Sequence, residues 1–352
     1  MIYAILLLSV INVYHLLRKI TISIKGETTR INTKIYVTIV AFMLSFIAGF
    51  RSLSVGIDTF DYANTFNRIR LLDFAQIFEG VKVEHGYVLF QYLVGQIFGE
   101  FQALLIIVAV LYIGVVSYYI YKYSKIPVMS YILFIGFGFF TFGMSGIRQT
   151  IAISFVLIAF KYIKTRNLFG FLLCVTIASL FHVTALISIP SYWFNKLKFN
   201  NKTLLIFIGA ALLAIGFKDE IRAILNSFAR NELSKIETGG NRMLFLMVVS
   251  TLLGVAFRNP FLAQDEDNKY FFYMMAASTI IMPITQFNPV VMRLYYYYFI
   301  FVIIYIPNLM SVIEDRRIQF IGVSGYALTA IIWFLSTSIF TEHLQTYLFF
   351  WQ

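Results

Sequence analysis

The run Ala103-Leu104-Leu105-Ile106-Ile107-Val108-Ala109-Val110-Leu111-Tyr112-Ile113-Gly114-Val115-Val116-Ser117-Tyr118-Tyr119-Ile120 has no charged side chain and is followed by Lys122 and Lys125. As a helix it covers about 27 Å, close to the roughly 30 Å of a bilayer's hydrocarbon core. Apolar and polar residues do not alternate along it, so it is not a strand of a membrane barrel. Similar runs fill the chain. Of its 352 residues 60% are hydrophobic and 13% charged, against about half and a quarter in a soluble domain. The sequence therefore predicts an all-α polytopic membrane protein.

Spans are expected at 1–17, 35–50, 101–121, 127–144, 147–163, 168–182, 183–194, 203–217, 243–257, 269–285, 292–310 and 318–337, about 12 in all. Residues 1–17 have neither a basic leader nor a small-residue cleavage site after them, and read as a retained helix. Residues 86–98 are too short and too polar to cross, and suit a helix lying in the interface. A first polar stretch with that helix occupies 51–100. A second, 218–242, carries Ile221, Ile224, Leu225 and Phe228 on one helical stripe. The chain shows no soluble domain and no short-period repeat, so 1–352 reads as one integral membrane domain. Cys174 is the only cysteine and lies in an apolar run, which excludes a disulfide framework and a cysteine-ligated zinc site.

The net charge of +11 would suggest a nucleic-acid partner in a soluble protein. Here it reflects topology, and no nucleic acid is expected. With 18–34 in the cytoplasm and 86–98 lying flat, 17 of the 28 Lys and Arg fall inside. Nine of the remaining 11 sit in the two long outer stretches, so the short loops are strongly positive inside. Arg51–Gly86, Arg148-Gln149, His182, 218–242 and Arg293 then share the outer face.

Several of these residues suit chemistry on an anion. Arg148 follows Gly146-Ile147 and opens a helix, where the dipole and free N–H groups favour phosphate. His182 ends an apolar run and can exchange protons near neutrality. Arg293 stands before Tyr295-Tyr296-Tyr297-Tyr298, as a phosphate grip or as part of an interfacial aromatic belt. Asp58 and Asp61 are spaced to bind a divalent cation or to pair with Arg51. Glu84 can take a proton from a hydroxyl. Asp73, Glu79 and Lys82 read as solvated loop surface.

In order, Arg51…Gly56-Ile57-Asp58-Thr59…Tyr62, Glu84-His85-Gly86-Tyr87, Gly146-Ile147-Arg148-Gln149…Ala152 and Phe181-His182-Val183-Thr184-Ala185-Leu186 resemble the EpsG/Wzy-type polysaccharide polymerases of bacterial envelopes. The likeness covers roughly 35–190 and extends loosely to Arg293-Leu294-Tyr295. His85 departs from many relatives and takes no role, and 218–242 has no matching motif. The resemblance implies a GT-C-like, inverting, metal-independent glycosyltransferase in the bacterial cytoplasmic membrane. It would join oligosaccharide repeat units carried on undecaprenyl diphosphate at the outer face, making capsular polysaccharide, exopolysaccharide or O-antigen. Donor and acceptor are both lipid-linked, the bilayer is the medium, and a flippase and a chain-length regulator are the implied protein partners.

Such a transfer needs cations on the leaving diphosphate and a base for the attacking hydroxyl. Arg51, Arg148, Gln149 and Arg293, with Tyr62 and Tyr295, are the candidates for diphosphate and sugar. Asp58, Glu84 and His182 are the base candidates, unranked. An O-antigen-type ligase or another lipid-linked-sugar glycosyltransferase would use the same Arg and His logic on another acceptor. A flippase or transporter should instead show internal symmetry and polar groups at mid-membrane, whereas these charges gather at one face.

Overall fold

The computed structural model describes residues 2–21, 28–80, 83–228, 240–285, 291, 293–338 and 347–352. Among them the chain is helical and forms no strand, only an isolated bridge between Arg51 and Phe349. The chain is an all-α polytopic membrane protein. It divides into two compact units, Met1–Leu186 with Arg316–Gln352, and Ile187–Asp315.

The first unit opens with α1 (Ile2–Thr21) and α2 (Thr28–Gly49). Within the first polar stretch, α3 (Thr59–Ile69) buries Thr59, Ala63, Phe66 and Ile69 along one face. Then come α4 (His85–Phe98) and the long apolar α5 (Phe101–Tyr123). Next are α6 (Pro127–Gly136), α7 (Phe139–Ser145), α8 (Ile147–Lys164) and α9 (Leu168–Phe181). α8 packs on α9 and α5, and α5 on α2. Phe66, Tyr87, Leu104, Leu105, Val108, Ile147 and Ile151 form one buried cluster joining α3, α4, α5 and α8.

The second unit holds α10 (Asn201–Gly216), the amphipathic α11 (Lys218–Phe228), α12 (Asn241–Ala256) and α13 (Arg258–Gln264). α14 (Asn268–Thr285), α15 (Tyr296–Phe299) and α16 (Val302–Ser311) complete it. α14 is buried along most of its length and packs on α10 and α12. The expected stripe of 218–242 forms α11, while 229–239 lie outside the described residues. The last helix, α17 (Arg316–Ser338), returns to the first unit and packs on α6.

Among the described residues three helices are long and apolar enough to cross a membrane, or up to six if each bent pair is one span. The expected span 127–144 is instead α6 and α7, bent by 49°. The turn tightens there, because Gly138 donates to Ile135 three residues back. The expected span 292–310 is likewise bent by 40° between Arg293–Phe299 and α16. Residues 183–194 do not form an α-helical span. Val183–Lys196 is a 3-10 helix with Pro190 inside, and proline has no N–H for an α-helical ladder.

Arg51 explains how the first polar stretch is folded down. It is 2% exposed, and its guanidinium donates to the carbonyls of Ala48, Val55 (3.3 Å) and Met144 (2.8 Å). Gly56 sits at φ +100°, and a Cβ there would lie 2.6 Å from the Met144 carbonyl. Only glycine fits both demands. The end of the chain closes over this corner: Ser52 N–H donates to Leu348 at 2.8 Å and Phe350 N–H to Phe50 at 3.0 Å. Arg51→Met should therefore cost about 3 kcal/mol or more, since it leaves buried carbonyls without donors. A lowered melting temperature of the detergent-solubilised protein checks this.

Candidate active site

Glu84 is the N-cap residue of α4, and its backbone is extended. Its carboxylate points at two other elements. Oε2 accepts from Arg148 Nη1 at 2.5 Å, and Oε1 accepts from the Val183 N–H at 3.2 Å. Oε1 also lies 3.0 Å from His182 Nδ1. An ionised carboxylate only accepts, so the geometry puts a proton on Nδ1. Burial would raise the Glu84 carboxyl. The hydrogen bond from His182 and the Arg148 charge outweigh it and lower the pKa to about 2.

Each partner arrives from a different helix end. Arg148 stands in the first turn of α8, where its charge adds to the positive end of the helix dipole. Its Nε donates to Tyr62 Oη at 3.5 Å. Among the described residues nothing accepts from its Nη2, and the side chain is 26% exposed. His182 caps the C-terminus of α9 in an extended conformation, which swings its ring off the helix axis. Gly86 makes the meeting possible. A Cβ on it would lie 2.6 Å from the Leu180 carbonyl, so any larger residue would push α4 away from α9. Gly86→Ala should separate Glu84 from His182 and lower activity about tenfold or more, while Arg148 remains in place. Polymer yield per unit of folded protein is the measurement.

Of the residues singled out in the sequence, the structure brings Glu84, Arg148, His182 and Tyr62 together. Gln149 is buried in α8 beside Arg148 in sequence. Asp58 is the N-cap residue of α3, one turn before Tyr62, and half-buried. Arg51 is placed differently from a diphosphate ligand, because its donors are turned onto backbone carbonyls. Arg293 and Tyr295 belong to the second unit. There Arg293 opens a short 3-10 turn and Tyr295 is buried against Tyr296 and Phe299. Among the described residues no three His, Cys, Asp or Glu side chains gather as a metal site.

Three contributors escaped the sequence reading. Tyr87 packs edge-on against Tyr62. Gln91, one turn on, donates to the Tyr62 carbonyl at 3.4 Å and to Tyr87 Oη at 3.3 Å. Their i, i+4 spacing on α4 was the available signal. The Val183 N–H is a backbone donor, and no residue type announces it.

The EpsG family model matches residues 34–350. The chain belongs to the EpsG family. The match takes in the whole Glu84–Arg148–His182 cluster, all of the second unit and most of the first. No curated protein and no solved structure matches the chain. EpsG family membership supports, in broad terms, an enzyme of the polysaccharide polymerase type in a membrane.

Proposed function

We propose that this EpsG-family protein joins oligosaccharide repeat units carried on undecaprenyl diphosphate, by inverting glycosyl transfer at the outer face of the bacterial cytoplasmic membrane. The observation that carries this reading is the Glu84 carboxylate held between Arg148 and His182. The acceptor hydroxyl attacks the anomeric carbon of the donor chain. A C–O bond forms, the C–O bond to the diphosphate breaks, and the hydroxyl proton passes to His182 Nε2. Arg148, with Nη2 facing no described protein acceptor, neutralises the departing diphosphate. Glu84 is the positioning residue for both.

This ranks Glu84 below His182 as the base. A carboxyl with a pKa of about 2 is a weak proton acceptor at neutral pH, whereas an imidazole is matched to the task. Tyr62 and Asp58 line the approach along α3, and Arg51 serves to hold the loop rather than the diphosphate. The reaction needs no metal, because guanidinium supplies the charge. Chelator should leave the purified enzyme active, and loss restored by Mg²⁺ would overturn that part.

The lipid-linked products of a deletion strain test the function. Accumulated single repeats support a polymerase. Full-length polymer stranded on its carrier would show a ligase instead.

A further inference from the structure

At the far end of α5 and α8, about 20 Å along α8 from Arg148, lies a second site. A groove of about 190 Å³ runs between the two helices. Its apolar floor is Gly114 and Ile158, its walls are Tyr118 and Tyr123, and its rim is Lys122 and Lys161. Gly114 opens the floor, since a Cβ there would meet nothing within 4 Å. Two ammonium groups, of Lys122 and Lys164, meet on Tyr123, and that of Lys161 lies 6.0 Å from the neighbouring Tyr162 ring. Lys122 Nζ is 3.0 Å from Tyr118 Oη and lies 5.4 Å from the Tyr123 ring centre, and Lys164 Nζ lies 5.2 Å from that same ring. No Asp or Glu occurs anywhere between Glu100 and Asp219, so α5 to α9 bring no counter-charge of their own.

Lysines at the ends of spans ordinarily extend separately toward water. Here they are drawn from two helices to the mouth of one apolar groove. We infer that this groove binds one anionic phospholipid of the surrounding bilayer, with its phosphate on Lys122 and Lys161 and the start of an acyl chain over Gly114. The chemistry suits it: two or three cations for one phosphate diester, tyrosine faces for the glycerol region, and an apolar slot for the tail. The groove lies away from the Glu84 cluster and the inference does not depend on the proposed reaction.

The full chain, placed in mixed phosphatidylcholine–phosphatidylglycerol bilayers and released into native mass spectrometry, tests this. The wild type should retain phosphatidylglycerol in preference to phosphatidylcholine. The Lys122→Gln/Lys161→Gln double variant should bind it roughly thirtyfold more weakly. Gly114→Phe keeps every charge but fills the slot, and should lose the lipid as well. Equal retention of phosphatidylcholine, unchanged binding in the lysine variant, or unchanged binding in Gly114→Phe would each overturn the site. Displacement of the lipid by inorganic phosphate alone would overturn it in favour of a soluble anion. All three positions face away from the buried core, so the variants should melt with the wild type.

Discussion

Arg148→Ala is expected to stop chain extension, with lipid-linked single repeats accumulating in its place. The side chain does two things at once. Nη1 holds the Glu84 carboxylate at 2.5 Å, and in the proposed reaction Nη2 takes the diphosphate. Losing a positioned cation at a developing negative charge costs on the order of 10²–10³ in rate. Releasing Glu84 adds to this, because the carboxylate also sets the His182 ring. Arg148→Lys separates the two effects. An ammonium keeps the charge but cannot fork between a carboxylate and a phosphate, so the loss should be intermediate. The readout is the ladder of lipid-linked products, normalised to folded protein. Polymer of normal length from Arg148→Ala would sink the assignment.

The sequence made the class of fold plain because bilayer-length apolar runs have few other uses. It overstated the regularity of those runs. Nothing in the composition of 127–144 announces a 49° bend, since the break arises from a backbone turn between two apolar helices. Residues 183–194 read as a short span because hydropathy ignores what Pro190 does to a hydrogen-bond ladder.

At the site, residue type pointed to four of the side chains that gather there and was a poor guide to how each is held. Arg148, Glu84 and His182 stood out as charges at the edges of apolar runs. Arg51 stood out for the same reason, yet its guanidinium is spent on three carbonyls and clamps the loop. Burial separates the two arginines, and burial of a loop residue depends on what packs over it. Here that cover includes the end of the chain, some 300 residues away. Gly86 shows the converse. In sequence it is one glycine beside a polar motif, and only its 2.6 Å approach to Leu180 reveals that it sets the distance between Glu84 and His182.

Glu84→Gln is expected to lower turnover by about 10²–10⁴, comparable to losing the orienting carboxylate of a hydrolytic triad. The substitution keeps the size of the side chain and its acceptor oxygen but removes the charge that pairs with Arg148. Its amide also offers a donor where His182 presents one. The decisive comparison is the double variant. If Glu84 acts by positioning, Glu84→Gln/His182→Ala should add to His182→Ala only the part of the Glu84→Gln loss that runs through Arg148, since groups acting as a unit are not additive. Losses that multiply in full would overturn the route through His182. Acid unfolding gives an independent check of the ion pair. Folding lowers the Glu84 carboxyl from its ordinary 4.5 to about 2, so its contribution to stability is complete above the higher value. It is lost as the pH falls from there toward 2, when the folded protein must take up the proton. Glu84→Gln should flatten that part of the acid limb and leave the neutral region level. An unchanged acid limb would mean that the carboxylate is not held by Arg148 and His182 in solution, and the positioning role would fall with it.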